Sequence, residues 1–245
     1  MIGNTMFITG GGSGIGRALA IAFHTMGNKV IVAGRRRGPL EEMAKAFPGI
    51  DFRIIDMRDA QNIVEVADWL VMTHPEVNVL INNAGIMAGD KTGGFMDDDL
   101  TVATIETNLL GPMRLTSALI EHLKTRPDAV LANVTSGLAF TPLAHAAVYS
   151  ATKAALHSWT LSLRYRLRGT SVRVLEVAPP WVQTDLMGAR DEPRAMPLQD
   201  FIDETLRSFA SGSDEVLVER VKALRDNPGP NEWAFVEEFN DRLAY

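Results

Sequence analysis

The chain contains no cysteine in its 245 residues. Disulfides, thiolate nucleophiles and cysteine-based metal sites are therefore excluded, and no other metal-ligand pattern stands out. Tyrosine is nearly as scarce, with three copies. Positive charge is in deficit, 24 Lys and Arg against 30 Asp and Glu, for a net charge of −6 and an isoelectric point near 5.4. That balance argues against a nucleic-acid partner, which favours a basic face. No apolar run approaches the roughly 20 residues that span a bilayer. The start, Met1-Ile2-Gly3-Asn4-Thr5, lacks the basic stretch and apolar core of a secretory signal. The expectation is a cytoplasmic protein with no membrane partner. No repeat, linker or low-complexity block divides the chain, so residues 1–245 are expected to form one domain.

What the sequence does have is alternation. Short β-branched runs at Thr5–Thr9, Lys29–Ala33, Phe52–Ile55, Val77–Ile81, Ala129–Val134 and Val172–Val177 read as strands. Between them lie helical stretches at Ile15–Met26, Glu41–Phe47, Ile63–Thr73, Leu100–Lys124 and about Ala147–Arg168, with Gly111-Pro112 as an irregularity in the fourth. Strands alternating with helices predict an α/β fold: a single doubly wound, Rossmann-type parallel sheet with helices on both faces. Beyond Pro180 the pattern loosens. Residues from about 186 to 225 are expected to form a C-terminal cap over a substrate.

Thr9-Gly10-Gly11-Gly12-Ser13-Gly14-Ile15-Gly16 lies between the first strand and the first helix. Glycines allow a tight turn and close approach of backbone to a pyrophosphate, while the helix start offers free N–H groups. Three residues separate Gly10 from Gly14, a wider spacing than the usual Rossmann fingerprint. A plain tight turn is the competing reading, and the strand-to-helix position favours phosphate binding. The second strand runs into Gly34-Arg35-Arg36-Arg37. A carboxylate that would grip a ribose 2′-hydroxyl is missing there, and the guanidinium groups suit a 2′-phosphate. NADP(H) is thus the expected cofactor, with NAD(H) as second choice, and a solvated basic turn is the alternative.

Tyr149 and Lys153 stand four residues apart, on one face of a helix. A phenol titrates near pH 10, and an ammonium beside it should lower that value toward use as a general acid and base. Alone, the pair could be an ordinary amphipathic contact. Ser136, just after the strand Ala129–Val134, puts a hydroxyl at the carboxyl end of the sheet, where open α/β sheets bind ligands. No G-x-S-x-G elbow surrounds it, which weighs against a serine hydrolase. His145 could line the pocket, although a surface or core role carries more weight.

These pieces together resemble the short-chain dehydrogenase/reductase family, from Thr5 to about Leu186. The matching segments are the glycine turn, Asn82-Asn83-Ala84-Gly85, Asn108-Leu109-Leu110-Gly111, Ser136, Tyr149 to Lys153, and Pro179-Pro180-Trp181-Val182-Gln183-Thr184. The resemblance implies that Tyr149 exchanges the proton accompanying hydride transfer. It implies that Lys153 lowers the Tyr149 pKa and holds the nicotinamide ribose, that Ser136 binds the substrate oxygen, and that Asn108 holds a relay water. Gly10, Ser13, Gly14, Ile15, Gly16, Arg35, Arg36, Asp56, Met57, Asn83, Ala84, Gly85, Pro179, Val182 and Thr184 would contact the cofactor, together with Tyr149 and Lys153. Pro180 stands where the family commonly has glycine, and Thr135 where a second serine is frequent. Gly34-Arg35 and Leu138-Ala139-Phe140 also look like a subgroup associated with D-alanine-transfer operons.

The expected function is an NADP(H)-preferring oxidoreductase, a carbonyl reductase interconverting a carbonyl compound and an alcohol. Leu138, Phe140, Pro142, His145, Trp181, Leu186 and Met187 would make its substrate pocket mainly apolar. The rival class is a catalytically silent, nucleotide-sensing binding protein of the same fold. Long apolar stripes on the helices near Leu100 and Ala147 lead to the expectation of a homodimer or homotetramer.

Overall fold

The computed structural model describes residues 2–227 and 229–243. Seven strands form one sheet in the order β3-β2-β1-β4-β5-β6-β7, every neighbouring pair parallel. They are β1 (Thr5–Thr9), β2 (Lys29–Gly34), β3 (Ile50–Ile54), β4 (Val79–Asn82), β5 (Ala129–Val134), β6 (Val172–Ala178) and β7 (Glu215–Leu217). The first six lie within two residues of the expected runs. The seventh was not foreseen: its three residues are too few to show a period.

Alternation along each strand splits the core into two layers. Met6, Ile8, Val30 and Val32 point to the face covered by α1 (Gly14–Thr25) and α7 (Leu198–Ser211), where Phe23 meets Phe209 edge-on at 5.7 Å. Phe7, Ile31, Leu80 and Leu131 point to the opposite face, under α3 (Ala60–Thr73) and α5 (Gly111–Lys124). The long helix expected over Leu100–Lys124 is instead α4 (Asp98–Ile105), a π turn at Glu106–Leu110, then α5. In that turn the Gly111 N–H donates to the Glu106 carbonyl five residues back. Pro112 has no N–H with which to continue a regular ladder. α2 (Arg37–Ala46) begins four residues earlier than expected, and α6 (Ala147–Leu167) agrees with expectation. Among the described residues no helix is long and apolar enough to cross a membrane.

The strand order reverses between β1 and β4, which opens a crevice at their carboxyl ends. A buried polar spine fixes that edge. Asn82 Nδ2 donates to Asn133 Oδ1 at 2.9 Å, and Asn133 Nδ2 donates to Thr160 Oγ1 on α6 at 2.9 Å. The same strands therefore deliver Asn83 and Ser136 to one rim.

Of the 186–225 stretch, α7 and β7 belong to the body of the fold, since Phe201, Ile202 and Val216 are core residues. The far end of the crevice is closed by α8 (Glu219–Arg225) and α9 (Glu232–Leu243).

Candidate active site

A cavity of about 780 Å³ runs along the carboxyl edge of the sheet. One end is the glycine turn. Gly10 has φ +68°, and a Cβ there would lie 2.9 Å from the Ala84 backbone. A Cβ on Gly16 would lie 2.3 Å from Asn83 Nδ2 and 2.5 Å from the Gly10 carbonyl. Asn83 is the strut between them: its Nδ2 donates to the Thr9 carbonyl at 2.9 Å, and the Thr9 hydroxyl accepts the N–H groups of Asn83 and Ala84 at 3.0 Å.

The start of α1 is prepared for an anion. Its first turn carries no acidic residue, and Ser13 does not cap it. Instead the Ser13 hydroxyl accepts a hydrogen bond from Arg36 Nη2 at 3.0 Å. The helix N–H groups and dipole are thus left facing the crevice. Arg35 and Arg36 line this end, while Arg37 turns away to pair with Glu41 at 3.1 Å. The residues present fit a dinucleotide, offering glycine backbone and free helix N–H groups that would meet its phosphates.

The candidate catalytic side chains sit at the sheet centre. Ser136 caps a short 3-10 turn at Gly137–Ala139, its Oγ accepting the Leu138 N–H at 3.1 Å, and its hydroxyl stands near the Tyr149 phenol on the cavity wall. Lys153, one helical turn beyond Tyr149, donates to the Val134 carbonyl at 2.8 Å. Its Nζ lies 5.5 Å from the centre of the Tyr149 ring. Both side chains are almost wholly buried.

Burial disfavours charge on each. It pushes the Tyr149 pKa up to about 12, opposed by the nearby Ser136 hydroxyl, and it lowers Lys153 to about 8. The expected lowering of the Tyr149 pKa by its ammonium neighbour is therefore corrected. Lys153 sits over the ring and spends a proton on Val134, so desolvation decides the tyrosine's value.

Other expected residues divide. Gly10, Ser13, Gly14, Ile15, Gly16, Met57, Asn83, Ala84, Gly85, Pro179, Val182 and Thr184 all line the cavity. Asp56 does not; its carboxylate accepts the Arg58 N–H at 3.0 Å, and Ile55 and Met57 take the wall. Asn108 also stands behind the wall, fully buried. Its amide exchanges two 2.8 Å hydrogen bonds with the Ile86 backbone and reaches Thr152 Oγ1 at 3.3 Å.

Leu138, His145, Trp181, Leu186 and Met187 line the substrate end as expected. Phe140 and Pro142 do not. Phe140 is buried edge-on against His157, and the Pro142 carbonyl accepts from Asn240. Phe235, Phe239, Arg242 and Leu243 complete the wall, and no sequence motif singled them out. The only signal of Phe235, Phe239 and Leu243 was apolar spacing of four, which a core helix shares, and Arg242 had none.

Thr135 explains itself in the structure. Its hydroxyl donates to Glu176 Oε1 at 2.7 Å, and His157 Nδ1 lies 2.8 Å from Glu176 Oε2. Glu176 is fully buried, so these two partners satisfy a carboxylate that water cannot reach.

The sequence pattern of the short chain dehydrogenases matches residues 4–195, from the first strand through the cavity wall. The chain belongs to this family. As a short-chain dehydrogenase/reductase it is an NAD(P)-dependent oxidoreductase. An uncharacterized oxidoreductase of Bacillus subtilis (strain 168), DltE, is 41% identical over 236 residues, covering 92% of each chain. That relative carries the D-alanine-transfer operon name, in line with the subgroup resemblance.

Two solved short-chain dehydrogenases have the same fold. One from Burkholderia phymatum, in complex with NAD, superposes with a TM-score of 0.83 at 20% identity, covering 91% of this chain and 92% of the other. One from Burkholderia cenocepacia J2315, in complex with NADP, gives 0.81 at 24% identity, covering 100% and 99%.

Proposed function

We propose that this oxidoreductase reduces a carbonyl compound to an alcohol, with NADP(H) as preferred cofactor and Tyr149 as general acid. The observation carrying this reading is that Ser136, Tyr149 and Lys153 line the cavity that also holds the glycine cradle. When bound, the dinucleotide supplies the hydride exchanged with the carbonyl carbon. Ser136 and Tyr149 would hold the substrate oxygen, and Tyr149 would release its phenolic proton to it as negative charge develops. A phenol kept protonated by burial suits a donor, which favours the reductive direction. Lys153 would hold the nicotinamide ribose and, while charged, steady the phenolate left behind.

Asn108, anchored on Ile86 and Thr152, would set the helix face that carries Lys153 and hold the relay water. Arg35 and Arg36 would take the 2′-phosphate; the missing carboxylate at Gly34 supports NADP(H) over NAD(H). Val102 and Ile105 on α4 and Leu161 and Tyr165 on α6 are exposed, which supports a homodimer or homotetramer.

The deciding experiment is Tyr149→Phe. We expect the rate with a reducible ketone to fall by about 10²- to 10⁴-fold while cofactor affinity is kept. Unchanged turnover would rule out Tyr149 as the acid. Absence of turnover in the unmodified chain, with nucleotide bound, would favour a nucleotide sensor.

A further inference from the structure

The region shared with the family ends at residue 195, yet the cavity continues past it. Its far wall is α9. Phe235, Phe239 and Leu243 recur every four residues, so they share one helix face, and all three line the cavity that contains Tyr149. An amphipathic helix ordinarily buries its apolar stripe against protein. Here none of the residues of α9 is buried. Its stripe is half-buried and lines the cavity together with Leu138, Leu143 and Trp181.

One side chain ties this helix to the site. Asn240 Oδ1 accepts the Ala144 N–H at 2.6 Å, and its Nδ2 donates to the Pro142 carbonyl at 3.1 Å. The segment it grips leads directly into α6, hence to Tyr149.

We propose that α9 is the specificity element of this enzyme: Phe235, Phe239 and Leu243 receive an extended apolar group, aryl or medium-chain alkyl, attached to the carbonyl. Asn240 is the positioning residue that sets the distance between that face and the reacting atoms. The inference rests on the carbonyl-reductase reading. A small polar carbonyl compound would leave the stripe without a partner, whereas an extended apolar one covers it. Each added methylene in such a pocket is worth about tenfold or more in kcat/KM.

The test uses the intact chain, both nucleotides, and three ketones: 2-butanone, 2-octanone and a phenyl alkyl ketone. We expect kcat/KM to rise at least about tenfold from the first to the other two. Phe239→Ala should remove most of that rise, so that the three ketones converge in kcat/KM, and leave the KM for nucleotide unchanged. Asn240→Ala should act in the same selective sense. Equal losses on all three ketones, or a preference that survives Phe239→Ala, would overturn the assignment.

Calorimetric binding of the phenyl ketone to the nucleotide-loaded protein keeps the two readings apart. Binding that depends on Phe239 without turnover would sink the reaction and keep the site. Neither binding nor turnover would sink both.

Discussion

The two ends of the cavity are held by different kinds of contact. At the nucleotide and reaction end, polar side chains bridge distant parts of the chain. Asn83 is bonded to Thr9, Asn82 to Asn133 and onward to Thr160, and Thr135 to Glu176 and His157. At the far end α9 buries no residue and meets the substrate-side loop through the amide of Asn240. Densely cross-linked groups resist displacement, and sparsely held ones open at lower free energy. Placement is therefore tightest at the end proposed for proton transfer and loosest at the end proposed to take a substrate's bulk. The family pattern stops between the two, at residue 195.

The largest expected break of this contrast comes from filling the cross-linked end. Gly16→Val should abolish nucleotide binding in a calorimetric titration, because its Cβ alone would overlap Asn83 and the Gly10 carbonyl. Overpacking of this kind also destabilises by about 1–3 kcal/mol. A variant that still binds nucleotide with ordinary affinity would show the turn to be less rigid than its hydrogen bonds imply.

Next in size is the response to pH. Lys153 has a folded pKa near 8, below the 10.5 of an ordinary lysine, so between those values the unfolded chain binds the extra proton. Burial of the charged form penalises the fold fully below about pH 8, and the penalty lifts as pH rises toward 10.5. Tyr149 acts in the opposite sense only above about pH 10, where the unfolded phenol ionises and the buried one does not. The Tm should therefore gain on going from pH 8 to 10, and Lys153→Met should flatten that gain. An unaltered slope in the variant would remove Lys153 as its source.

A smaller effect is expected at the rim. Arg35→Ala should raise the KM for NADP(H) by about tenfold, the scale of one charge-assisted hydrogen bond, with that for NAD(H) nearly constant. Equal shifts for both nucleotides would refute a 2′-phosphate contact. The smallest belongs to Trp233, exposed on α9 and absent from the cavity wall. Trp233→Ser should leave every ketone's kcat/KM within about twofold, as surface changes usually do; a large loss would mean that α9 presents a different face.

The cross-linked end was also the legible one. The turn Gly10–Gly16, Asn83 and the Tyr149–Lys153 pair each need particular residue types at fixed spacing, so geometry leaves a mark in the sequence. The six long strands carry the same kind of mark in their runs of β-branched residues. The far end leaves almost none. Phe235, Phe239 and Leu243 look like any helix stripe, and only the fold shows that they stand half-buried on a cavity wall rather than inside the core. Charge balance was equally silent: whether Lys153 or burial governs Tyr149 depends on where Nζ points, and it points to Val134.

The π turn at Glu106–Leu110 bears on how this chain tolerates changes in length. A π turn holds one residue more than the α turn it replaces, so it behaves as a single-residue insertion trapped inside a helix. Removing Leu109 would let the backbone relax to a regular spiral and keep α5 in step. Each helical residue turns the chain by about 100°, so Asn108 would then swing away from Ile86. Alignments that slide a gap into this helix, or loop-shortening designs that treat it as free, would lose the anchor while leaving the helix looking improved.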